Sequence, residues 1–549
     1  MESVYDRALI EVGSSNTFQK QFDIIYNGLL VGTWAMSYMN IILALVVTPH
    51  HCKLPVKPSN ITEYDWKMKY IPRAADLNGN IKLSECLQFV NINDNNTTGC
   101  YEYNYDKTWY ETTVASENNW VCDKELYVAN IYAYSRIGEI VGSILFGYLG
   151  DVYGRRPTYI AALTLLVSGR LLSLIGSHSY TLFTSGCIIA CLPSWTVVQS
   201  VTLISFEMSS SERRTITATM RSASFSCGVS LMALIFWWMR EWKLVFIINI
   251  VLLLPYLVFS WKMIESPRWF WVEGKTDACI KLLKKIARLN NSSLQTDTEK
   301  ELLEVQPLKK PKNYGPLALF LGWRLTFYTI LQLLLWVCVT LNYTLLMMKS
   351  GEKTDGNPFL DFALQAAAEI PGYFIAAWLA DHLGRRYSGI LSYSVTALMW
   401  TLMTFRDQGN FDWINIWWVS TITAIMARLS VTISYYTINL LNMELYPTCL
   451  RQSGMSLGNV FSSGASAIAP YLLYIGRTTD YQHYPSLIMT SVSILGIILS
   501  YLLPETKNTR VPETLEDARN FGGQKYDYRT AEELQTSKGG PSLNFPLNL

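Results

Sequence analysis

Charge is scarce in this sequence. Lys, Arg, Asp and Glu make up 16% of the 549 residues, against about 25% in soluble domains. Neither sign dominates: 45 basic residues face 43 acidic ones, a net charge of +2, which gives no electrostatic case for a nucleic-acid partner. Histidine is rarer still. The five (His50, His51, His178, His382, His483) are scattered, and none has metal-ligand spacing, so no metal centre is expected. A Walker phosphate loop is missing, which excludes an ATP-driven pump of that type. With no other enzymatic signature, neither a catalytic residue nor a cofactor is expected. No short N-terminal apolar run leads into a small-residue cleavage site, so no removable signal peptide is expected.

What is abundant is long apolar sequence: half of the residues are hydrophobic. Runs such as VFIINIVLLLPYLVFSW (245–261) and SLIMTSVSILGIILSYLL (486–503) have about the length that crosses a ~30 Å hydrocarbon layer as helix. The pattern predicts an all-α membrane protein of twelve spans, near 24–48, 127–149, 158–176, 181–205, 216–238, 243–262, 324–347, 359–380, 388–405, 413–441, 453–474 and 485–503. The N-terminus (1–23) precedes a first six-helix half (24–262), which carries a long polar insertion at 50–125. A second insertion (263–321), expected to be helical, links it to the other half (322–503). A polar tail (504–549) follows.

The two insertions differ in chemistry. The first holds Cys52, Cys86, Cys100 and Cys122, and sequons at Asn60, Asn95 and Asn96. An even cysteine count with sequons points to an oxidising, glycosylated side. Two disulfides are expected, and four cysteines allow three pairings. The second insertion carries ten Lys/Arg against seven Asp/Glu over 263–321, whereas residues 53–126 carry eight against eleven. The short loops with Arg155/Arg156, Arg213/Arg214, Arg385/Arg386 and Arg451 fall on the same side as the second insertion. Basic residues stay inside, so both termini are expected in the cytosol, the cysteine loop outside, and the sequons Asn290 and Asn291 unused.

Two devices recur. GYLGDVYGRRP (147–157) follows span 2, and AAWLADHLGRRYS (376–388) follows span 8. Asp151 and Asp381 are 230 residues apart, as are Gly154 and Gly384. Glu207 precedes Arg214 by seven residues and Glu444 precedes Arg451 by seven, both at an offset of 237. Repetition in the same order marks a duplicated transporter bundle, with its site near mid-membrane between the halves. Glycine permits the tight turn. The acids and arginines Asp151, Arg155, Arg156, Glu207, Arg214, Asp381, Arg385, Glu444 and Arg451 form ion pairs suited to break and reform as the halves rock. The plainer reading is that the arginines only anchor the loops.

Ionisable residues inside spans are costly, about 2.5–3.5 kcal/mol on insertion scales, and are functional candidates for that reason. Glu369 is the foremost: it is a counter-charge for a solute, or else half of an ion pair with a buried arginine. Arg136 and Glu139, three apart, suit a structural pair on one helix face, though Glu139 could instead face the cavity as a second counter-charge. Arg221 is expected near the cytosolic mouth, where its long side chain can snorkel. Trp336 and Tyr343, seven apart, share a helix face and could hold an ammonium between aromatic rings. Cys187 and Cys191 read as small core residues.

The motif GYLGDVYGRRP resembles the signature of the major facilitator superfamily. ESPRWF (265–270) and LLPETKNTRVPETLED (502–517) resemble both sugar porters and organic ion transporters. VGSSNTFQKQ (12–21), TPHHC (48–52), NWVCD (119–123) and ELYPTCLR (444–451) resemble organic ion transporters, and by this set the chain is identified as a member of solute carrier family 22. The resemblance implies the major facilitator fold and alternating-access transport of a small organic cation or zwitterion through the lipid bilayer, with an organic anion, carnitine or sugar as the other solutes. A transport-inactive receptor on the same fold is the alternative outside transport. It implies a substrate site at Trp336, Tyr343, Glu369, Tyr373, Tyr436 and Ser463. EIPGYF (369–374) resembles the cation carriers' segment, and Tyr373 stands where anion carriers have lysine. Ser463 stands where cation carriers have aspartate and anion or carnitine carriers arginine. Arg428 matches an arginine of the cation carriers and is expected in a gating or structural pair.

Overall fold

The computed structural model describes residues 4–58, 60–75, 81–90, 96–304, 316–351, 356–408, 417–478, 483–507 and 512. The sequon Asn95 and nearly all of the tail lie outside the described residues, as does the side chain of Asp151. The chain is mostly helical. In the first half, a π-helical turn (Asp23–Leu29) leads into α1 (Leu30–Ala44). After the cysteine loop come α2 (Leu126–Tyr153), α3 (Arg155–Ile175), α4 (Tyr180–Cys191), α5 (Ser194–Glu207), α6 (Ser211–Met239) and α7 (Trp242–Val258). The second half holds α8 (Trp323–Gly351), α9 (Pro358–Leu383), α10 (Arg385–Asp407), α11 (Trp417–Leu445), α12 (Thr448–Thr478) and α13 (Tyr484–Leu502).

Among the described residues, seven helical stretches are long and apolar enough to cross a membrane. One of them runs from Tyr180 to Glu207 and is broken at Leu192–Pro193 into α4 and α5, because proline lacks the N–H that would continue the hydrogen-bond ladder. Apolar side chains cover the outside as well as the core. On α7, Ile247, Val251, Leu254 and Val258 are exposed and recur every three to four residues along one stripe. Lipid rather than water suits such a face.

The insertion at 50–125 forms three two-stranded antiparallel pairs: His50–Cys52 with Tyr103–Tyr105, Arg73–Ala75 with Ile81–Leu83, and Leu87–Phe89 with Thr97–Gly99. Of the three possible cysteine pairings it adopts Cys52–Cys100 and Cys86–Cys122, with Cα separations of 5.3 and 5.7 Å. Asn60 and Asn96 are exposed. Asn290 is instead built into the fold: its amide donates to the carbonyls of Val12 and Gly13 and to Gln19. Helix Thr276–Leu289 of the second insertion is amphipathic, and packs its buried Ile280, Leu283 and Ile286 with Leu9 and Val12 of the N-terminal helix Val4–Val12 in one core.

The Gly-Arg-Arg motifs sit where α2 turns into α3 and where α9 turns into α10. Gly154 has φ +101° and Gly384 φ +92°. A Cβ at either would come 2.5 Å from a glutamate oxygen, of Glu265 and Glu505 respectively, so both position and conformation require glycine. The Glu265 carboxylate accepts from the backbone N–H groups of Arg155 (3.0 Å) and Arg156 (3.1 Å), and Glu505 from those of Arg385 (2.9 Å) and Arg386 (3.1 Å). Each carboxylate thus satisfies the orphan donors and positive end of a helix N-terminus. Arg385 grips Glu444 at 2.7–3.1 Å, while Arg155 meets Glu207 at 3.8 Å. Asp381 is peripheral: its side chain is 71% exposed and 3.8 Å from Arg385. Arg214 and Arg451 donate to the carbonyls of Phe206 (2.8 Å) and Tyr446 (3.0 Å). Arg156 donates to the Trp261 carbonyl at 2.7 Å.

Candidate functional site

Midway between these motifs and the cysteine loop, each half places one carboxylate in its interior. Glu369 on α9 and Arg428 on α11 are 1% and 0% exposed and form an ion pair. Arg428 also donates to the Tyr343 carbonyl at 3.3 Å and lays its guanidinium 3.4 Å from the centre of the Tyr343 ring. In the other half, Glu139 and Arg136 of α2 are 3% and 2% exposed and pair at 2.7 Å. The Arg136 guanidinium lies 4.6 Å from the rings of both Tyr38 and Tyr132. Glu139 accepts further from the Tyr38 hydroxyl and the Trp195 indole N–H. A buried charge is tolerated when paired and hydrogen-bonded, and both acids are.

Each carboxylate also receives a serine from the opposite half. Ser226 of α6 donates to Glu369 at 2.6 Å, and Ser463 of α12 to Glu139 at 3.4 Å. The duplication extends into the site: Glu139 and Glu369 are 230 residues apart, the offset of the Gly-Arg-Arg motifs, and Ser226 and Ser463 are 237 apart, the offset of Glu207 and Glu444. This symmetry was readable in the sequence from the two offsets, but the expectation followed it only at the loops. More bonds join the halves from this level toward the cysteine loop. Ser230 donates to the Ala363 carbonyl (2.9 Å), Tyr132 meets Ser466 (3.4 Å), Tyr471 donates to Asn130 (2.7 Å) and Arg477 pairs with Glu125 (2.8 Å).

The remaining expected site residues divide. Tyr373, one turn from Glu369 on α9, is half-buried. Trp336 is 1% exposed, edge-on to Tyr435 with ring centres 5.4 Å apart, and so close to Gly458 that a Cβ there would lie 2.6 Å from its indole nitrogen. Its ring is covered, and Arg428 already lies over that of Tyr343, so the two do not stand as an open aromatic cage in this conformation. Tyr436 points elsewhere, toward Ala376 and Leu379 nearer the Gly-Arg-Arg motif. Its neighbour Tyr435 holds the inner position. In the cysteine loop, His50 lies beside Cys86 and Cys122, but those two sulfurs are bonded to each other and offer no thiolates to a metal.

Comparison with known proteins places this geometry in context. Residues 86–517 match the family model described as sugar (and other) transporter. The chain is 26% identical to the organic cation transporter protein of Drosophila melanogaster, over 98% of this chain and 99% of that one. It is 28% identical to the beta-alanine transporter of the same organism, over 76% and 68%. Other relatives are members of solute carrier family 22. The inward-open structure of the E. coli xylose transporter XylE superposes with a TM-score of 0.59 at 13% identity, covering 91% of this chain and 99% of that one.

Proposed function

Because the chain belongs to the sugar (and other) transporter family, of the major facilitator superfamily, we propose that this membrane-embedded carrier moves small amine-bearing organic solutes, cations or zwitterions, across the plasma membrane by alternating access. The observation that carries the reading is the pair of buried acid–arginine units facing each other across the seam, each held by a serine of the other half. A site at the interface of two repeated bundles is opened to one side by rocking them. The bonds from Tyr132–Ser466 to Glu125–Arg477 hold the halves together on the cysteine-loop side, which is the side this conformation keeps shut. Twelve spans in two halves, the cysteine loop outside, both termini cytosolic and glycans at Asn60 and Asn96 complete the reading.

The site accepts a solute by exchange. An incoming ammonium competes with Arg428 for Glu369 and for the ring of Tyr343, or with Arg136 for Glu139, whose contact with Ser463 stands where cation carriers have an acid of their own. A sugar site is less well served. Asn342 of α8 donates to the Cys338 carbonyl (2.8 Å) and accepts from Ser493 (3.1 Å), and the Gln332 amide nitrogen donates to the Ile438 carbonyl (2.7 Å), so most of the amide capacity that would hold hydroxyls is spent within the protein. The relatives named for organic cations and for beta-alanine favour an amine.

Vesicles containing the purified chain test the proposal. Saturable uptake of at least one labelled amine or zwitterion is expected from a panel of amines, zwitterions and anions, with and without sodium. No saturable uptake of any of them would leave a receptor or scaffold on a carrier fold.

A further inference from the structure

Besides the two acid–arginine pairs, Arg170 and Arg221 lie within the spans with no carboxylate paired to them among the described residues. Arg170 is taken up by Ser37 and the Phe246 ring, which leaves Arg221. Arg221 lies on α6, five residues from Ser226 toward the Gly-Arg-Arg side, about 7–8 Å along the helix axis. It is half-buried, and among the described residues no carboxylate pairs with it. It lies within electrostatic range of Tyr373 and Tyr435, across the seam. Those tyrosines also sense the pair above: Tyr373 both Glu369 and Arg428, and Tyr435 both Glu369 and Glu139. Tyr373 is one turn below Glu369 on α9, and Tyr435 two turns below Arg428 on α11, on the same faces. Arg221, Tyr373 and Tyr435 therefore gather beneath the Glu369–Arg428 pair, toward the Gly-Arg-Arg side.

Arg221 has no counterpart in the repeat. The 237-residue offset that carries Ser226 to Ser463 carries Arg221 to Gly458, the glycine packed against Trp336. The acids and serines are duplicated, and none of the arginines in the site is: the offsets carry Arg136 to Ala366 and Arg428 back to Cys191. The charge of Arg221 is unneutralised at the point where the solute would rest, whereas Glu139 and Glu369 each have an arginine of their own. A solute that is only cationic meets a net positive wall. A solute with a carboxylate supplies the missing counter-charge, and a guanidinium with phenol neighbours suits a carboxylate in both charge and hydrogen-bond geometry.

We infer that Arg221 binds a substrate carboxylate, so that the preferred solutes are zwitterions carrying an acid and an amine a short chain apart. The inference rests on the transport reading above and narrows it. The amine is drawn toward Glu369 or Glu139, and the acid toward Arg221, Tyr373 and Tyr435.

The test compares 5-aminopentanoate, pentylamine and pentanoate on the full chain, read by thermal stabilisation in detergent and by labelled uptake in vesicles. In the wild type, 5-aminopentanoate is expected to bind at least about tenfold more tightly than pentylamine, the loss typical when a buried polar group is left unpaired. Arg221→Gln should abolish that preference and raise the affinity for pentylamine, and Arg221→Lys should restore part of it. Equal binding of the amino acid and the amine by the wild type, or a ratio unmoved by Arg221→Gln, would overturn the inference, as would failure of 5-aminopentanoate to bind. Arg221-dependent stabilisation without uptake of any probe would keep the carboxylate site and remove the transport reading instead.

Discussion

Ser226 donates a 2.6 Å hydrogen bond to Glu369 across the seam between the halves, and its repeat partner Ser463 reaches Glu139 at 3.4 Å in the mirrored sense. Glu369 is thus tied at once to its own half through Arg428 and to the other half through Ser226. Rocking the halves apart on this side must break the serine bond and leave the ion pair.

Glu369→Gln leaves the Arg428 guanidinium buried without a counter-charge, which costs about 3–5 kcal/mol. A large drop in melting temperature is expected in detergent. Glu369→Gln combined with Arg428→Gln should regain most of the loss, because no unpaired charge remains. Additive losses in a double-mutant cycle would show that the two do not act as a pair.

Alanine at Gly154 or Gly384 forces a side chain into positive φ and into a glutamate oxygen 2.5 Å away. Each substitution is expected to cost about 1–3 kcal/mol and to lower uptake sharply at matched surface expression. Serine or alanine at Gly147, which has open space around it, is the control, and similar effects there would discount the turn argument.

The repeats are equivalent in sequence but unequal in this conformation. Arg385 holds Glu444 through three contacts, whereas Arg155 stands 3.8 Å from Glu207. Arg385→Lys forfeits a bidentate bond worth about twice a neutral one, so its effect on uptake should exceed that of Arg155→Lys. Initial rates for the two variants, normalised to surface protein, decide it.

Arg477→Glu places two acids together at the Glu125 contact. The pair is partly exposed (28% and 14%), so a shift of only about 0.5–1 kcal/mol is expected, enough to raise the outward-open population a few-fold. Labelling from outside of a cysteine placed at Ala129, in the closed seam, should speed up accordingly. Unchanged labelling would argue that this ion pair does not hold the outer side shut.

Much of the architecture was legible because burial in lipid constrains sequence strongly: a backbone that must satisfy its own hydrogen bonds becomes helix, and apolar length marks where. The Gly-Arg-Arg turns were legible for a similar reason, since positive φ leaves little choice but glycine. The role of Glu265 and Glu505 was not. Each sits in a recognisable motif, but only packing brings it onto a helix N-terminus 109–110 or 119–120 residues earlier in the chain. Tyr436 illustrates the limit of position matching. On a helix one residue is about 100° of rotation, and that single step puts Tyr435 against Trp336 and Tyr436 against α9.

The sequence alone determined that this chain is a duplicated helical bundle, that acids lie inside its spans, and which loop carries the cysteines. Periodicity, composition and repeat offsets are local or additive properties, and they survive in one dimension. Whereas the Arg136–Glu139 pair follows from spacing on one helix, the cysteine pairing and the choice of Arg428 for Glu369 required tertiary structure. So did the crossing of serines between the halves and the isolation of Arg221. Each depends on which faces of separate helices meet, and whether a buried charge is a ligand or a strut is decided by what stands within hydrogen-bond reach of it.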